Sequence, residues 1–299
     1  MIVLDATGHV LVMDGGLLAS AVNQYRTQEI ERMPWAIRIL VWSLCCSGAG
    51  VARAQSVDLA GIAHAAFRVN DVEKSRAFYQ LLGFEQSFEF SQGGNVSVSY
   101  VKVNDRQFIE LYQRPDTSQP AGFLHVCFES NDIEPLWREY VKRGLDAAEP
   151  RKAKAGNLLN AIHDPPGNLI EFTQYMPGSM HFEDRGKHLG RSRVSDHLRR
   201  VAIPTKDSSA VAAFYTGKLG FEPVISGDDE RLRLPGPSGD EVEFISAVPP
   251  SAPQVVFEVS DLRRAAKDLR ARGLKVRRAG QMISVTAPDG VVVAFAARR

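Results

Sequence analysis

Two histidine–glutamate pairs in this chain repeat one spacing. His64 precedes Glu110 by 46 residues, and His125 precedes Glu171 by the same 46 residues. Imidazoles and carboxylates together make a mixed nitrogen and oxygen ligand set, which suits divalent transition metals better than calcium. The spacing therefore predicts two copies of one unit that bring both pairs around one divalent transition metal, with Zn, Ni, Co, Mn and Fe left open.

Each of these residues taken singly also has a purely structural explanation. A histidine in a strand can be a core residue with satisfied hydrogen bonds, and a glutamate in an apolar strand can lie at a sheet edge. Four such residues at equal spacing within recognisable repeats favour the metal site. A cation held there would act as a Lewis acid toward two neighbouring oxygens of a substrate.

The elements around these residues repeat as well. Each His opens a strand-like segment that ends in Asp seven positions later, and each Glu lies in a short apolar strand. Helical periodicity follows at 72–79 and again at 133–144, and further short strands come after each helix. Each unit therefore reads as a strand, a helix and three strands, which we write βαβββ.

Two further units follow the first two. Residues 213–222 echo 77–85 with one extra residue, and residues 254–261 echo the His125 segment. Because one such unit cannot bury its sheet alone, we expect an α+β fold in which tandem βαβββ modules pair into two domains. Each domain would have a curved, cup-like mixed sheet with helices outside. The predicted domains are 57–175 and 194–299, joined by a polar linker at 176–193.

Residues 33–54 have the pattern of a cleavable export signal. A short positive segment is followed by an apolar stretch and by the sequence Ala52-Arg53-Ala54. Because the apolar stretch is shorter than the roughly 20 residues that span a bilayer, it does not predict a membrane helix. We expect residues 1–32 to be an untranslated extension upstream of a start at Met33, and the mature protein to be periplasmic or secreted.

The overall composition is that of a soluble globular protein with balanced charge. Of the 299 residues, 44% are hydrophobic and 24% are charged, and 36 basic residues face 35 acidic ones. Such balance gives no indication of nucleic-acid or membrane binding. Cys127 is the one cysteine outside the export segment, and we expect it to be a buried small side chain rather than a nucleophile.

The pattern resembles the vicinal oxygen chelate superfamily, which includes glyoxalase I, extradiol dioxygenases and bleomycin-binding proteins. The resemblance rests on the His-led strands, on the Glu110 and Glu171 strands and on the turn at 164–167. Its two-His, two-Glu set is similar to that of glyoxalase I, whereas extradiol dioxygenases use three protein ligands and bleomycin-binding members use none. The resemblance implies the paired βαβββ fold and a metal-dependent lyase or isomerase.

The resemblance also implies roles for individual residues. Glu171 would move a proton beside a substrate carbonyl as the general base, and Glu110 would stay a ligand. Arg68 matches an arginine that binds the carboxylate of glutathione in glyoxalase I, or else pairs with Glu129. Phe108 and Tyr112 share the inward face of their strand with Glu110, so we expect both to line the substrate pocket together with Arg68.

The second domain departs from the ligand pattern. Arg200 replaces the first His, Gln254 the second His and Ala294 the last Glu, while Glu243 is retained. We therefore expect a domain without a metal set, and a site assembled inside the first domain. Pairing of modules between the first domains of two chains would also bring all four predicted ligands together, so both a monomer and a homodimer are compatible with the sequence.

The sequence thus predicts an exported, metal-dependent, glyoxalase-like enzyme that acts on a small molecule with vicinal oxygens. Two alternatives stay open at this point. One is a ring-cleaving dioxygenase, for which Glu110 would be an awkward fourth ligand. The other is a protein that binds an antibiotic or another small molecule without catalysis.

Overall fold

The structure is a computed structural model that describes residues 2–4, 10–12, 58–224, 231–246 and 254–298. The predicted export signal at 33–54 lies outside these ranges, as does most of 1–32. The chain divides into two compact units, residues 1–55 and 56–299. In the first unit, β1 (Ile2–Leu4) pairs antiparallel with β2 (Val10–Val12). No helix within the described ranges is long and apolar enough to cross a bilayer.

The first half of the larger unit contains an eight-stranded sheet, two ten-residue helices and a one-turn helix. In chain order its elements are β3 (Leu59–Val69), α1 (Val72–Leu81), β4 (Glu85–Gln92), β5 (Asn95–Lys102), β6 (Phe108–Gln113), β7 (Gly122–Ser130), α2 (Ile133–Lys142), β8 (Arg151–Lys152), β9 (Leu158–His163), β10 (Leu169–Gln174) and α3 (Met180–Glu183).

Two βαβββ modules join at the centre of this sheet. The strand order is β4-β5-β6-β3-β7-β10-β9-β8, so the first strand of one module lies beside the first strand of the other. β3 and β7 run antiparallel, whereas β6 runs parallel to β3 and β10 runs parallel to β7. The first domain is therefore assembled from adjacent modules of one chain.

The second half repeats this arrangement with the order β12-β13-β14-β11-β15-β18-β17-β16. Its elements are β11 (His197–Thr205), α4 (Ser208–Phe214), a π-helix (Tyr215–Leu219), β12 (Glu222–Pro223), β13 (Arg231–Arg233), β14 (Glu241–Ser246), β15 (Val255–Val259), α5 (Leu262–Ala271), β16 (Arg277–Ala279), β17 (Met282–Thr286) and β18 (Val292–Ala297). The predicted α+β class with tandem paired modules is confirmed.

The repeated aspartates are helix N-caps. Asp71, Asp132, Asp207 and Asp261 each adopt an extended conformation and accept a hydrogen bond from a backbone N–H in the first helical turn. A carboxylate at this position satisfies one of the N–H groups that has no partner inside the helix. The Asp seven residues after each metal-candidate His therefore sets the point where strand gives way to helix.

The extra residue in the third module is absorbed as a π-helical turn. In the segment 77–85 the helix α1 stays an ordinary α-helix up to its end at Leu81, whereas the helix of the counterpart segment ends in the π-helix Tyr215–Leu219. In a π-helix each backbone hydrogen bond spans five residues instead of four, so one inserted residue is accommodated within the helix and no loop is needed. Both helices then end at an equivalent glycine with positive φ, Gly83 at 84° and Gly220 at 81°.

The apolar core has two parts on opposite faces of the first sheet. The larger part lies between sheets and helices and runs without a break through both domains, where the rings of Phe84 and Phe257 lie 5.1 Å apart. The smaller part lies on the face of the first sheet that carries the predicted ligands, which we call the first-domain cup. Its buried members are Ala63, Val98, Tyr100, Phe108, Cys127 and Tyr175.

Candidate metal centre

Strand register places the four predicted ligands in two neighbouring rows of the first-domain cup. In one row His64 and Glu171 lie on either side of Cys127. In the other row Glu110 and His125 lie on either side of Ala66. Because the residues between each pair are small, the longer side chains have room to converge above them.

Three of the four side chains meet at one point. The two Nε2 atoms of His64 and His125 lie 3.0 Å apart. Glu171 Oε2 lies 3.6 Å from His64 Nε2 and 3.4 Å from His125 Nε2. Ligand atoms at about 2.1 Å from one cation are roughly 3.0–3.4 Å from each other. Two sides of the triangle formed by these three atoms fall in this range and the third, from Glu171 Oε2 to His64 Nε2, exceeds it by 0.2 Å, so a small shift of the Glu171 carboxylate would fit a shared transition metal.

Glu110 lies on the other side of the His64 ring. Its Oε1 is 3.1 Å from His64 Nδ1, and its Oε2 accepts a hydrogen bond of 2.9 Å from the Tyr112 hydroxyl. Glu110 Oε1 is off the direction of a hydrogen bond, and His64 Nδ1 has no hydrogen-bond partner among the residues that the structure describes. Glu171 thus faces both Nε2 atoms and Glu110 faces His64 Nδ1, while one ligand atom from each of His64, Glu110 and His125 also lies within 4.8 Å of the other two.

Burial keeps both imidazoles neutral. It lowers the pKa of His64 to about 3 and that of His125 to about 4. Burial, with the neighbouring Glu171 carboxylate, raises the pKa of Glu110 well above its usual range. Neutral imidazoles offer lone pairs to a cation, and a cation favours the ionised carboxylate. The Nε2 atoms of His64 and His125 lie 3.0 Å apart, and the two neutral rings can place at most one proton between them. A lone pair is therefore left for a divalent metal, which this ligand set fits.

The predicted pocket residues Phe108, Tyr112 and Arg68 lie at different depths. Phe108 is fully buried beside His64 in the strand register. Tyr112 is half-buried, and its ring meets that of His125 edge-to-face at 5.8 Å. Arg68 is half-buried near the end of β3 and donates a hydrogen bond to the Pro120 carbonyl.

The proposed alternative pairing of Arg68 with Glu129 is wrong. Glu129 instead accepts a 2.7 Å hydrogen bond from Arg106 Nε. Because β3 and β7 run antiparallel, Arg68 lies opposite Gly122 while Glu129 lies opposite Gly61. The two residues occupy equivalent positions in their modules, but the antiparallel pairing places them at opposite ends of the strand pair.

Cys127 is buried among the candidate metal ligands. It is fully buried between the His64 and Glu171 strands, and its sulfur lies within 4.8 Å of ligand atoms of those two residues. Burial raises the pKa of the Cys127 thiol well above its usual value, so the thiol stays protonated. Its small protonated side chain leaves space between the two ligands and does not behave as a nucleophile.

Sequence reasoning missed His181, which lies in the segment predicted to be a polar linker. The side chain is 4% exposed and packs on α3 against the aromatic wall of the first-domain cup. A signal was present in the sequence: Ser179 before Met180–Glu183 is a good N-cap residue. Its hydroxyl accepts a hydrogen bond from the Phe182 backbone N–H.

The equivalent positions of the second domain hold an ion-pair network. Arg200 occupies the register of His64, and its Nε lies 3.0 Å from Glu243 Oε2. Gln254 Oε1 accepts a hydrogen bond from the Val292 backbone N–H, and Ala294 occupies the register of Glu171. These side chains do not reproduce the two-imidazole arrangement of the first domain.

Comparison with known proteins places this fold and sequence in a family. Residues 61–172 and 197–295 match the Glyoxalase/Bleomycin resistance protein/Dioxygenase superfamily. The virulence protein STM3117 of Salmonella typhimurium strain LT2 is 31% identical over 123 residues, covering 38% of this chain and 84% of that protein.

Solved structures share the architecture at low sequence identity. The 2,3-dioxygenase LapB from Pseudomonas sp. KL28 has a TM-score of 0.61 at 18% identity, covering 81% of this chain and 93% of its own. The Mn(II)-bound glyoxalase from Novosphingobium aromaticivorans has a TM-score of 0.60 at 16% identity, covering 80% of this chain and 82% of its own. At these identities the likeness concerns the fold. The family resemblance predicted from the sequence is confirmed: the chain belongs to the Glyoxalase/Bleomycin resistance protein/Dioxygenase superfamily.

Proposed function

We propose that this chain is a metal-dependent enzyme of the lyase or isomerase type, acting on a small molecule with vicinal oxygens. The observation that carries the proposal is the convergence of His64 Nε2, His125 Nε2 and Glu171 Oε2 within 3.0–3.6 Å of one another in the first-domain cup. These three atoms would hold one divalent transition metal, and Glu110, the second carboxylate of the predicted set, lies beside His64 Nδ1. When bound, the metal would supply Lewis-acid polarisation of two neighbouring oxygens.

The two carboxylates are suited to different tasks. Glu110 is 3% exposed and is held by the Tyr112 hydroxyl, whereas the side chain of Glu171 is 15% exposed. A general base needs freedom to reach the carbon that loses the proton. Glu171 therefore takes a proton from a carbon next to a substrate carbonyl and returns it to the neighbouring carbon. Glu110 keeps its position throughout.

The wall of the cup restricts what binds beside the metal set. Tyr112 is half-buried on the same face as Glu110 and offers aromatic surface, and Arg68 at the rim offers a positive charge, whereas Phe108 on that face is fully buried. A small substrate with an apolar or aromatic part and a negatively charged outer end fits this distribution.

Ring cleavage by an extradiol-type dioxygenase is the second candidate. It is favoured by the fact that two imidazoles and one carboxylate meet at one point, while Glu110 lies beside the opposite ring nitrogen. Two His and one carboxylate form the facial set that non-haem Fe(II) oxygenases use. A third possibility is a protein that binds a small molecule in the same cup and does not catalyse a reaction.

Metal analysis of the purified protein tests the proposal. We expect about one transition metal ion per chain after reconstitution, and a large loss of metal in His125→Ala and Glu171→Gln. The metal that the protein prefers then decides which activity assay is used. Ni, Co or Zn points to isomerisation of a 2-oxoaldehyde hemithioacetal, and Fe points to oxygen uptake with catechols. Mn requires both assays, because a glyoxalase of the same fold binds Mn(II).

A matched control comes from the second domain. Gln254→Ala changes the residue that replaces the second His, so it should leave the metal content unchanged. If reconstitution gives no bound metal, the enzyme proposal fails and non-catalytic binding of a small molecule becomes the better hypothesis. Bound metal without turnover of either substrate class would reject both reaction types.

We further propose that the protein is exported. The proposal rests on the charged, apolar and Ala-x-Ala pattern of residues 33–54. Amino-terminal sequencing of the protein from the periplasm or medium of expressing cells should find Gln55 as the first residue. A chain recovered only from the cytoplasm with residues 33–54 still attached would reject export.

A further inference from the structure

The helix α3 places an imidazole inside the first-domain cup. His181 meets the rings of Phe88, Tyr100 and Phe108 edge-to-face, with centroid distances of 4.9, 5.5 and 4.8 Å. It also stacks on Tyr175 at 5.1 Å. Phe88, Tyr100 and Phe108 come from three adjacent strands and form the wall of the cup, so His181 is part of that wall.

His181 lies close to the candidate metal ligands, because it packs against the strand neighbour of His64. Phe108 is the register partner of His64 on the neighbouring strand, and the His181 ring packs against Phe108. The proximity of His64 adds to burial in lowering the pKa of His181 to about 3, so the imidazole of His181 is neutral. A neutral imidazole has one N–H donor and one acceptor nitrogen.

The hydrogen bonds of Asn157 decide which nitrogen of His181 carries the proton. The Met176 backbone N–H donates to Asn157 Oδ1, which leaves the amide Nδ2 to face His181 Nδ1 at 2.8 Å. Because Nδ2 is a donor, Nδ1 accepts and the proton lies on Nε2. This Nε2–H is buried and has no hydrogen-bond partner among the described residues.

An unpaired buried donor costs free energy, and the fold holds this one in place. The Met180 backbone N–H donates to the Ala155 carbonyl at the start of α3. At its end, the fully buried Lys102 ammonium contacts Asp184 Oδ2 at 2.9 Å. Because α3 is fixed at both ends, His181 cannot relieve its unpaired N–H by turning to solvent.

We propose that His181 is a substrate-binding residue, whose Nε2–H donates a hydrogen bond to an oxygen of the molecule that binds beside the metal set. The proposal rests on the proposed function, because it takes the same cup as the substrate site. It names the ligand class more closely: a planar, aromatic-faced molecule with an acceptor oxygen on the side of Phe108. It also gives the segment between the domains a part in the active site.

The experiment compares His181 variants in the Co(II)-loaded full chain. The probe is 4-nitrocatechol, which carries vicinal oxygens on an aromatic ring and changes colour when it ionises on binding. His181→Phe removes the donor and keeps an aromatic ring, and we expect about tenfold weaker probe binding, the loss of one hydrogen bond. His181→Gln keeps an N–H donor and should bind the probe within about threefold of the wild-type protein.

Metal affinity is measured in the same variants and separates the two hypotheses. His181 is not in the predicted ligand set, so Co(II) affinity should stay unchanged in both variants. If the wild-type protein holds no metal, the proposed function fails first. If it holds metal but does not bind the probe, the ligand class named here is rejected. If metal and probe bind but His181→Phe binds the probe as tightly as wild type, the His181 inference is overturned while the proposed function stands.

A second measurement does not depend on the variants folding. In the Zn(II)-loaded wild-type protein with nitrogen-15-labelled histidine, NMR reports the proton on His181 Nε2 directly. We expect the Nε2–H tautomer before the probe is added, and a downfield shift of this proton on saturation with 4-nitrocatechol. A proton on Nδ1, or no shift at saturation, would reject the hydrogen bond.

Discussion

The four candidate ligands are equal in the sequence but unequal in their surroundings. Both histidines and Glu110 are at least 95% buried, whereas the side chain of Glu171 retains 15% exposure. The Tyr112 hydroxyl holds Glu110 next to His64 Nδ1. Glu110 Oε1 lies 3.1 Å from Nδ1 without the direction of a hydrogen bond, so it acts through its charge, and a nearby negative charge raises the basicity of a ligand imidazole. Metal affinity should therefore depend on Tyr112, a residue outside the ligand set.

Tyr112→Phe should weaken metal binding by roughly tenfold, because Glu110 loses the hydrogen bond that holds it. The measurement is competition with a chromophoric chelator at fixed pH. Tyr140→Phe is the matched control, because Tyr140 is also fully buried and its hydroxyl has no hydrogen-bond partner in the described structure. Equal metal affinity in the two variants would show that Tyr112 does not position Glu110.

At the scale of elements, the segment between the domains is a structural part of the first domain. It passes Gly83, just beyond the end of α1, where the backbone of Ser192 approaches so closely that a Cβ on Gly83 would lie 2.3 Å from the Ser192 carbonyl oxygen. Earlier in the same segment, Asp184 contacts the fully buried Lys102 ammonium at 2.9 Å, and Asp105 contacts that ammonium at the same distance. These contacts keep α3 and its histidine inside the cup.

Gly83→Ala should destabilise the fold more than Gly273→Ala. Both glycines end equivalent helices and have the same φ of 84°, so both substitutions carry the left-handed penalty of about 1 kcal/mol. A Cβ at Gly273 meets nothing within 4 Å, whereas one at Gly83 collides with the Ser192 backbone. Urea unfolding measures the difference, and equal losses in the free energy of unfolding would contradict the close approach.

Asp184→Asn should lower the free energy of unfolding by about 3 kcal/mol, because it leaves the buried Lys102 charge with one partner fewer. Its remaining charged partner, Asp105, has a side chain that is 41% exposed. Lys102→Met removes the charge itself and fills similar volume, so its loss should be smaller. Chemical denaturation of both variants provides the comparison. A larger loss in Lys102→Met would mean that the ammonium stabilises the fold beyond its own desolvation.

At the scale of the whole larger unit, polar contacts join the two domains across their shared core. Asp240 of the second domain accepts a 2.9 Å hydrogen bond from the Ile62 backbone N–H of β3, the strand that carries His64. The other Asp240 oxygen lies 2.8 Å from His197 Nε2. Gln107 donates to and accepts from the Leu198 backbone. The second domain thus supports the strand on which the first His lies.

The His197–Asp240 pair predicts how stability depends on pH. The hydrogen bond to Asp240 raises the pKa of His197 above its ordinary value of about 6.5. A raised pKa means that the folded state binds the proton more tightly than the unfolded state. The contribution is therefore fully present below about pH 6.5 and is lost as pH rises through the folded-state pKa.

His197→Gln should lose free energy of unfolding relative to wild type at low pH, and the difference should shrink toward about pH 9. Denaturation of both proteins over this range measures it. Asp240→Asn removes the same ion pair and should abolish the same pH dependence. A difference that grows with rising pH would contradict the predicted sign.

Several features of this protein follow from short stretches of sequence. The repeated His-to-Glu spacing, the Asp seven residues after each His, and the echoes of these segments at 213–222 and 254–261 predicted four βαβββ modules in two domains. Such features are readable because capping and positive φ depend on a few neighbouring residues. The single-residue insertion before Gly220 was also visible, although its form as a π-helical turn was not.

Other features depended on how distant strands pair. Antiparallel pairing of β3 with β7 brought His64 and His125 within 3.0 Å and sent Arg68 and Glu129 to opposite ends. The same packing decided that Glu110 faces Nδ1 of His64 and that His181 enters the cup. Sequence periodicity fixes which face a side chain occupies, but strand register and the path of a connecting segment depend on contacts between residues far apart in the chain.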